Sequence, residues 1–385
     1  MKKTIFMITA ALCLASCVYP YEAELPEVQA SLAVEGDICL GSESAFAISL
    51  LQPLDVSVGD ATYALPDVNS LSLRVESESG EVYPGTFTMT DKYSANFAVD
   101  TRTASAEGGR RYRVCVDYAG ESYSSDWTAL EGSCVIDNLN YSVSNEILNA
   151  CVSLHSDDGS NHFRYRYDET WEYHSQLKAT VYFDPETYNI FEYFGGANSY
   201  YCWNTNASRG INLATTEDLE VNVLENYPVL SFHKTDRRLS MIYRLDLEVY
   251  PVSEASYRYY EHLKQVSNFN GSLFAPIPSE MPGNLHCDSD ESVPVYGYVA
   301  VVQPSSARLY IDNEKTHFYE DVQPRVTQIQ IDDIWEQVRY FTHKNYVPVN
   351  SDPMQGTWWA ERRCVDCRME GGNKNKPADW PNNHK

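Results

Sequence analysis

Phe163-Arg-Tyr-Arg-Tyr-Asp-Glu-Thr-Trp-Glu-Tyr-His174 sets Phe163, Tyr165, Tyr167, Trp171 and Tyr173 on one parity and Arg164, Arg166, Asp168, Glu172 and His174 on the other. Successive side chains of a pleated strand leave on opposite sides, so this period of two describes a β-strand with one apolar and one polar face. Glu169 falls on the aromatic parity, and a bend or bulge is expected there. The same alternation recurs over residues 239–249, with Leu239, Met241, Tyr243, Leu245, Leu247 and Val249 in phase, and residues 295–302 read as a buried strand. Upstream, residues 28–130 break into about seven short strands punctuated by turns such as Gly108-Gly109 and Ala119-Gly120, the pattern of an immunoglobulin-like sandwich. A second β-sandwich is expected over 131–312, carrying one inserted helix over 254–266 that Ser253 would cap. A cysteine-containing extension follows over 313–385, with a short helix near 331–340 and a loose polar end after Gly371. The fold class is therefore mainly all-β: two immunoglobulin/fibronectin-III-like β-sandwich domains, one helix and a C-terminal extension.

Length and charge agree with this plan. The 385 residues suit about two folding units. Against 54 Asp and Glu stand 29 Lys and Arg, and the formal charge of −25 leaves no basic stripe able to displace counterions from phosphates. Nucleic-acid binding and adhesion to anionic lipid are excluded on that ground. With 29 tyrosines and 43% hydrophobic residues, the chain lacks the composition of a disordered one.

The N-terminus carries an address. Lys2 and Lys3 precede an apolar run over residues 4–14, and Leu14-Ala15-Ser16-Cys17 follows with small residues ahead of a cysteine. The run of roughly a dozen residues is too short for a membrane span of about 20. It reads as a signal peptide over 1–16, and residues 14–17 resemble the bacterial lipoprotein processing box, which implies acylation of Cys17 and a lipidated tether over 17–27. Two or more acyl chains anchor stably where one does not. The resemblance, with Val18 after the cysteine, implies the outer membrane and leaves the periplasmic or surface face open.

Eight cysteines remain: Cys39, Cys115, Cys134, Cys151, Cys202, Cys287, Cys364 and Cys367. In an oxidising compartment an even set reads as disulfides, with 105 possible connectivities. By strand phase Cys39 lies with Glu35 and Asp37, and Cys115 with Arg113 and Asp117, so both point outward. A bridge between them and two unpaired thiols are equally open. Cys364 and Cys367 are expected to be oxidised, to each other or to Cys202 or Cys287. Zinc at Cys364-Val-Asp-Cys367 would need two further ligands, for instance His286 and Cys287, and the compartment favours disulfides; no metal and no cofactor are expected.

Other constellations have plain readings. His155, Asp157, Asp158, His162 and His174 read as a hairpin turn with flanking surface histidines, and Asp288-Ser-Asp290-Glu291 lacks the glycine and distal glutamate of a calcium loop. The sequence holds no nucleophile elbow, His-Glu-x-x-His, phosphate loop or dinucleotide fingerprint, and so no catalytic residue is nominated. Residues 182–203 stand apart, with nine aromatics around Asp184-Pro185 and Gly195-Gly196. Aromatics at that density supply contact area at low entropy cost. Core packing claims those of one parity. Phe191, Tyr193 and Phe194 are expected to be exposed near the two glycines and, with Trp203, form the candidate binding set.

Several stretches together resemble one family, the Bacteroidota lipoproteins called domain of unknown function 4249: the processing box at Cys17, Val34-Glu35-Gly36, Glu169-Thr170-Trp171-Glu172-Tyr173, Cys202-Trp203 and Asn270-Gly271-Ser272-Leu273-Phe274. Further along come Pro282-Gly283-Asn284, Gly297-Tyr298, Cys364-x-x-Cys367 with Gly371-Gly372, Pro377 and Asp379-Trp380. The resemblance supplies no catalytic residues, and it makes Cys39, Cys115, Cys134, Cys151 and Cys287 additions to the family's pattern. Members are commonly encoded beside TonB-dependent outer-membrane transporters, which implies an accessory role. The expected function is an outer-membrane-anchored lipoprotein, a non-enzymatic accessory or ligand-binding partner of such a transporter. The alternatives are a surface hydrolase acting on glycan or peptide, and a structural adhesin.

Overall fold

Gly85 marks the point where the first sheet turns. The strand Val82–Thr90 pairs through its first residues with Leu71–Ser77 and from Gly85 onward with Ser94–Asp100. A Cβ on Gly85 would sit 2.7 Å from the Leu73 carbonyl oxygen, so only glycine permits the close approach. The sheet runs Ser31–Gly36, Glu43–Leu51, Ser94–Asp100, Val82–Thr90, Leu71–Ser77, Arg111–Tyr118, Glu121–Ser125, an open order that folds over one core as a sandwich-like half-barrel. Its interior holds Val34, Ile48 and Phe97 from one side and Val75, Tyr112, Val114 and Val116 from the other. This computed structural model describes residues 31–51, 65–91, 94–208, 210–268, 283–322 and 325–381. The expected signal peptide, Cys17, the tether and residues 270–274 lie outside the described residues.

In the second module the three-stranded sheet Val135–Ser144, Ile147–His155, Val223–His233 packs against the sheet Tyr201–Ala207, His162–His174, Ile242–Pro251, Ser305–Asp312. Leu154, Phe163, Leu224, Leu247, Phe232 and Tyr243 fill the space between them. The protein is mainly β, as the alternation requires. His162–His174 pairs with both neighbours without a register shift. The bulge expected at Glu169 is therefore absent. Its carboxylate is 1% exposed and accepts from Tyr243 Oη at 2.8 Å, Arg238 Nη1 at 2.7 Å and Asn206 Nδ2 at 2.8 Å. With both oxygens hydrogen-bonded, the carboxylate is accommodated inside and the strand has no reason to bend.

Other expectations are adjusted in the same way. Residues 156–161 do not form a hairpin; they carry the chain from one sheet to the other, and Asp158 fixes the crossing by accepting from Ser133 N and Ser160 N. Leu239 lies in a 3-10 turn, and the strand begins at Ile242. Of residues 295–302 only Val301–Val302 pairs as a strand, parallel to Ile38–Cys39. The inserted helix runs Glu254–Asn268, and Ser253 Oγ accepts from Ser256 N at 3.2 Å. The C-terminal helix runs Ile334–His343, capped by Asp333.

Leu285–Cys287 adds to the edge of Glu121–Ser125, so a stretch read with the second module hydrogen-bonds into the first. Arg164 pairs with Asp37 at 3.1 Å and lies 3.5 Å over the Tyr260 ring, joining strand, helix and first module in one buried contact. Residues 371–381 are docked and not loose. Asn373 exchanges two backbone hydrogen bonds with Trp203, Trp380 Nε1 donates to Glu172 Oε2 at 2.9 Å, and Asp379 pairs with Arg244 and Arg308. Among the described residues no helix is long and apolar enough to cross a membrane.

Candidate functional site

One disulfide organises the aromatic region. Cys202, on the Tyr201–Ala207 strand, bridges to Cys367, in the 3-10 turn Cys367–Glu370, across 165 residues of sequence. Cys367 N donates to Ser199 O, and Tyr173 Oη donates to Cys367 O at 2.8 Å, so the turn is fixed to both neighbouring strands. Its preceding residues are held as firmly: Leu177 N donates to Cys364 O, and Asp366 caps the turn and accepts from Arg368. Burial opposes ionisation of Asp366, but the hydrogen bonds from Arg368 prevail and keep its carboxyl below the usual range.

Cys364 does not pair with Cys367 and is free and half-buried, contrary to the expectation that both would be oxidised. Cys39, Cys115, Cys134, Cys151 and Cys287 are free and buried. Cys39 and Cys115 do lie on the outer strand faces, but each outer face is covered, so neither thiol is exposed. Cys39 packs with Tyr250, Val302 and the inserted helix, and Cys115 lies under the Arg74, Glu76 and Arg113 side chains. Burial pushes the Cys39 thiol up to about 11 and that of Cys115 to about 12, which keeps both protonated and inert at neutral pH. Among the described residues no group of three or more His, Cys, Asp or Glu could hold a metal.

The hairpin Val181–Asp184 with Asn189–Glu192 presents the aromatics. Phe183 turns inward against Trp359 and Phe341, and this buried ring fixes the hairpin. On the other face Tyr182 is 40% and Phe191 41% exposed, with Tyr182 centred 5.6 Å from Phe191 and 5.1 Å from Tyr193, and Phe194, in the turn after the hairpin, is 79% exposed. Tyr193 is half-buried. Trp203 is not part of this face: it is buried with Ile242 and Trp380 beneath the C-terminal tail.

Two concavities flank the hairpin's support. A cleft of ≈ 520 Å³ is lined by His174, Arg237, Tyr319, Asp321 and Arg325, and it adjoins another of ≈ 380 Å³ through Gln176, Arg325 and Val326. In the second cleft Glu370 is occupied by Arg237 and Glu361 by Arg363, and in the first Asp321 accepts from Tyr319 Oη. Behind the hairpin a smaller pocket of ≈ 200 Å³ lies among Tyr182, Phe183, Tyr193, Phe341, Arg362, Asp366 and Arg368. Residues 341 and 362–368 were not foreseen as its walls. Only the Cys364-x-x-Cys367 spacing marked that stretch, and nothing local to it says that residue 182 is its neighbour.

A family model described as domain of unknown function (DUF4249) matches residues 18–308. No curated protein matches the sequence. Among solved structures, a DUF4785 family protein from Legionella pneumophila aligns at 15% identity over 56% of this chain and 51% of its own, with a TM-score of 0.19. The chain thus spans about half the length of that structure. A candidate carbohydrate-binding protein from Bacteroides uniformis aligns at 6% identity over 58% of this chain and 90% of its own, with a TM-score of 0.12. Scores this low carry neither fold nor function across.

Proposed function

Because the chain belongs to the family of domain of unknown function 4249, whose name assigns no activity, we propose a role from its own residues: a lipid-anchored, non-catalytic binding protein of the outer membrane, accessory to a TonB-dependent transporter. The observation that carries this reading is a set of exposed aromatics, Tyr182 and Phe191 side by side on a hairpin whose other face is locked into the core and Phe194 in the turn that follows it. Large rings held rigidly in water lose little entropy on contact and bury much area, which is the economy of an interaction surface. The tether from Cys17 would hold those rings near the membrane, and acyl chains would supply the anchoring.

The test replaces Phe191 and Phe194 by Ser together. Melting should stay within a few degrees, because neither ring is buried, while co-purification with the transporter from solubilised outer membrane falls. Association per folded molecule that stays at the wild-type level would remove the hairpin from the interface. Separately, Cys17→Ala should shift the protein out of the membrane fraction; retention there without a partner would overturn the lipid anchor.

A further inference from the structure

We infer that the ≈ 200 Å³ pocket behind the hairpin is a subsite for a carboxylate carried on a six-membered ring, with Arg362 as the residue that anchors the anion. The inference rests on the binding reading of the hairpin, since Tyr182 and Tyr193 belong to both. Three arginines border or adjoin the pocket, and two are committed: Arg363 pairs with Glu361 at 2.6 Å and Arg368 with Asp366 at 2.6 Å. Arg362 makes no side-chain hydrogen bond or ion pair among the described residues, and its buried Nε has no acceptor. A buried N–H is rarely left unpaired without a reason.

Its placement explains what it awaits. The guanidinium carbon lies 5.1 Å from the centre of the Phe341 ring, which occupies one face of the group, and among the described residues no acceptor meets its Nη1 or Nη2. Those two terminal nitrogens can bind a carboxylate end-on through two parallel hydrogen bonds. The backbone is held for the purpose: Arg362 N donates to Asn345 O at 2.8 Å, and Arg362 O accepts from Val365 N at 2.9 Å and Asp366 N at 2.8 Å. The disulfide at Cys367 secures the same turn.

Charge and size narrow the ligand. One uncommitted cation with the Asp366 carboxylate beside it suits a monoanion better than a phosphate dianion, which Asp366 would repel. A volume of ≈ 200 Å³, somewhat more than the ~150 Å³ of a cavity that holds a benzene, admits one ring with its carboxylate. The aromatic walls would lie against that ring. Two sources offer this chemistry, a hexuronic acid and an aromatic acid, and the walls accept either.

The test follows the arginine Nε–H resonances of the ¹⁵N-labelled soluble chain, residues 18–385, during titration with glucuronate, 4-hydroxyphenylacetate, inorganic phosphate, and the neutral counterparts glucose and 4-hydroxyphenylacetamide. At least one carboxylate should move the Arg362 signal while its neutral counterpart at equal concentration does not, and which one does so identifies the source. Arg362→Gln should weaken that carboxylate at least ~10-fold, and Arg363→Gln should change it by less than about two-fold. If the Gln variant does not fold, Arg362→Lys keeps the charge without the fork and should still weaken binding. The proposal fails if acids and neutral counterparts behave alike, if phosphate binds more tightly than both carboxylates, or if the Arg362 and Arg363 variants lose equally. Phe191→Ser with Phe194→Ser should leave carboxylate binding intact, so failure of the subsite and failure of the docking face give different results.

Discussion

The first module and the C-terminal residues 325–381 solve burial in different ways. The half-barrel encloses one continuous core, in which Leu32, Val34, Ile48, Leu73, Val75, Phe97, Val99, Val114 and Val116 meet, almost all from its own strands. The C-terminal region has no such core. Its buried side chains sit in small groups completed by residues elsewhere: Trp359 and Ile331 with Phe183, Cys367 with Tyr173 and Cys202, Trp380 with Trp203 and Ile242. A segment that cannot close a core needs fasteners, and this one has a disulfide, the Trp380–Glu172 hydrogen bond and the Asp379 ion pairs. The contrast teaches that alternation makes a sandwich self-sufficient, whereas a clasp is only as stable as its attachments.

Cutting the strongest fastener should separate the two regions most. Cys202→Ser opens a bridge spanning 165 residues, for which the chain-entropy account gives about 5 kcal/mol and typical native disulfides 2–5. Hydrogen exchange should quicken over 325–381 and the 181–192 hairpin while Leu71–Ser77 and Arg111–Tyr118 keep their protection. Equal loss in both regions would break the comparison. Next, while Arg238 keeps its pair with Asp236, Glu169→Ala leaves Tyr243 Oη without its acceptor inside the second sandwich, at about 2–3 kcal/mol. Its denaturation midpoint should fall with the first module's exchange unchanged.

Smaller effects sharpen the picture. Trp380→Phe keeps the ring but removes one donor from the buried Glu172, at about 1–2 kcal/mol, and should expose the tail beyond Gly371 to proteolysis before the rest of the chain. Acid should loosen the same region. Asp366 has a folded pKa below its unfolded value of 3.8, so its contribution is complete above that value and is lost as pH falls through the folded one. Opening of the 362–370 turn below about pH 4, ahead of the half-barrel, is the expected exchange pattern. Least of all, Phe194→Ser should stay within about 0.5 kcal/mol, since the ring is 79% exposed.

Sequence reading succeeded where one strand's pattern carries the information. The aromatic parity of 163–174 gave its inward face, and the exposure of Phe191 and Phe194 followed from the glycines behind them. It failed where the answer lay on another segment. Strand phase put Cys39 and Cys115 on outer faces, which is where they are, but the covering layers come from residues 250–302 and from neighbouring arginines. Trp203 resembled its exposed neighbours until the tail covered it.

Composition and the period of two determined by themselves that this protein is acidic and mainly β, because those properties are written in consecutive residues and need no partner. The family could also be read from the order of short motifs. Only the tertiary structure decided that Cys202 pairs with Cys367 and leaves Cys364 free, that Glu169 is neutralised in place, and that Arg362 faces an aromatic pocket without an acceptor. Each of these depends on groups brought together from distant positions, and a contact of that kind has no local periodicity from which to be read.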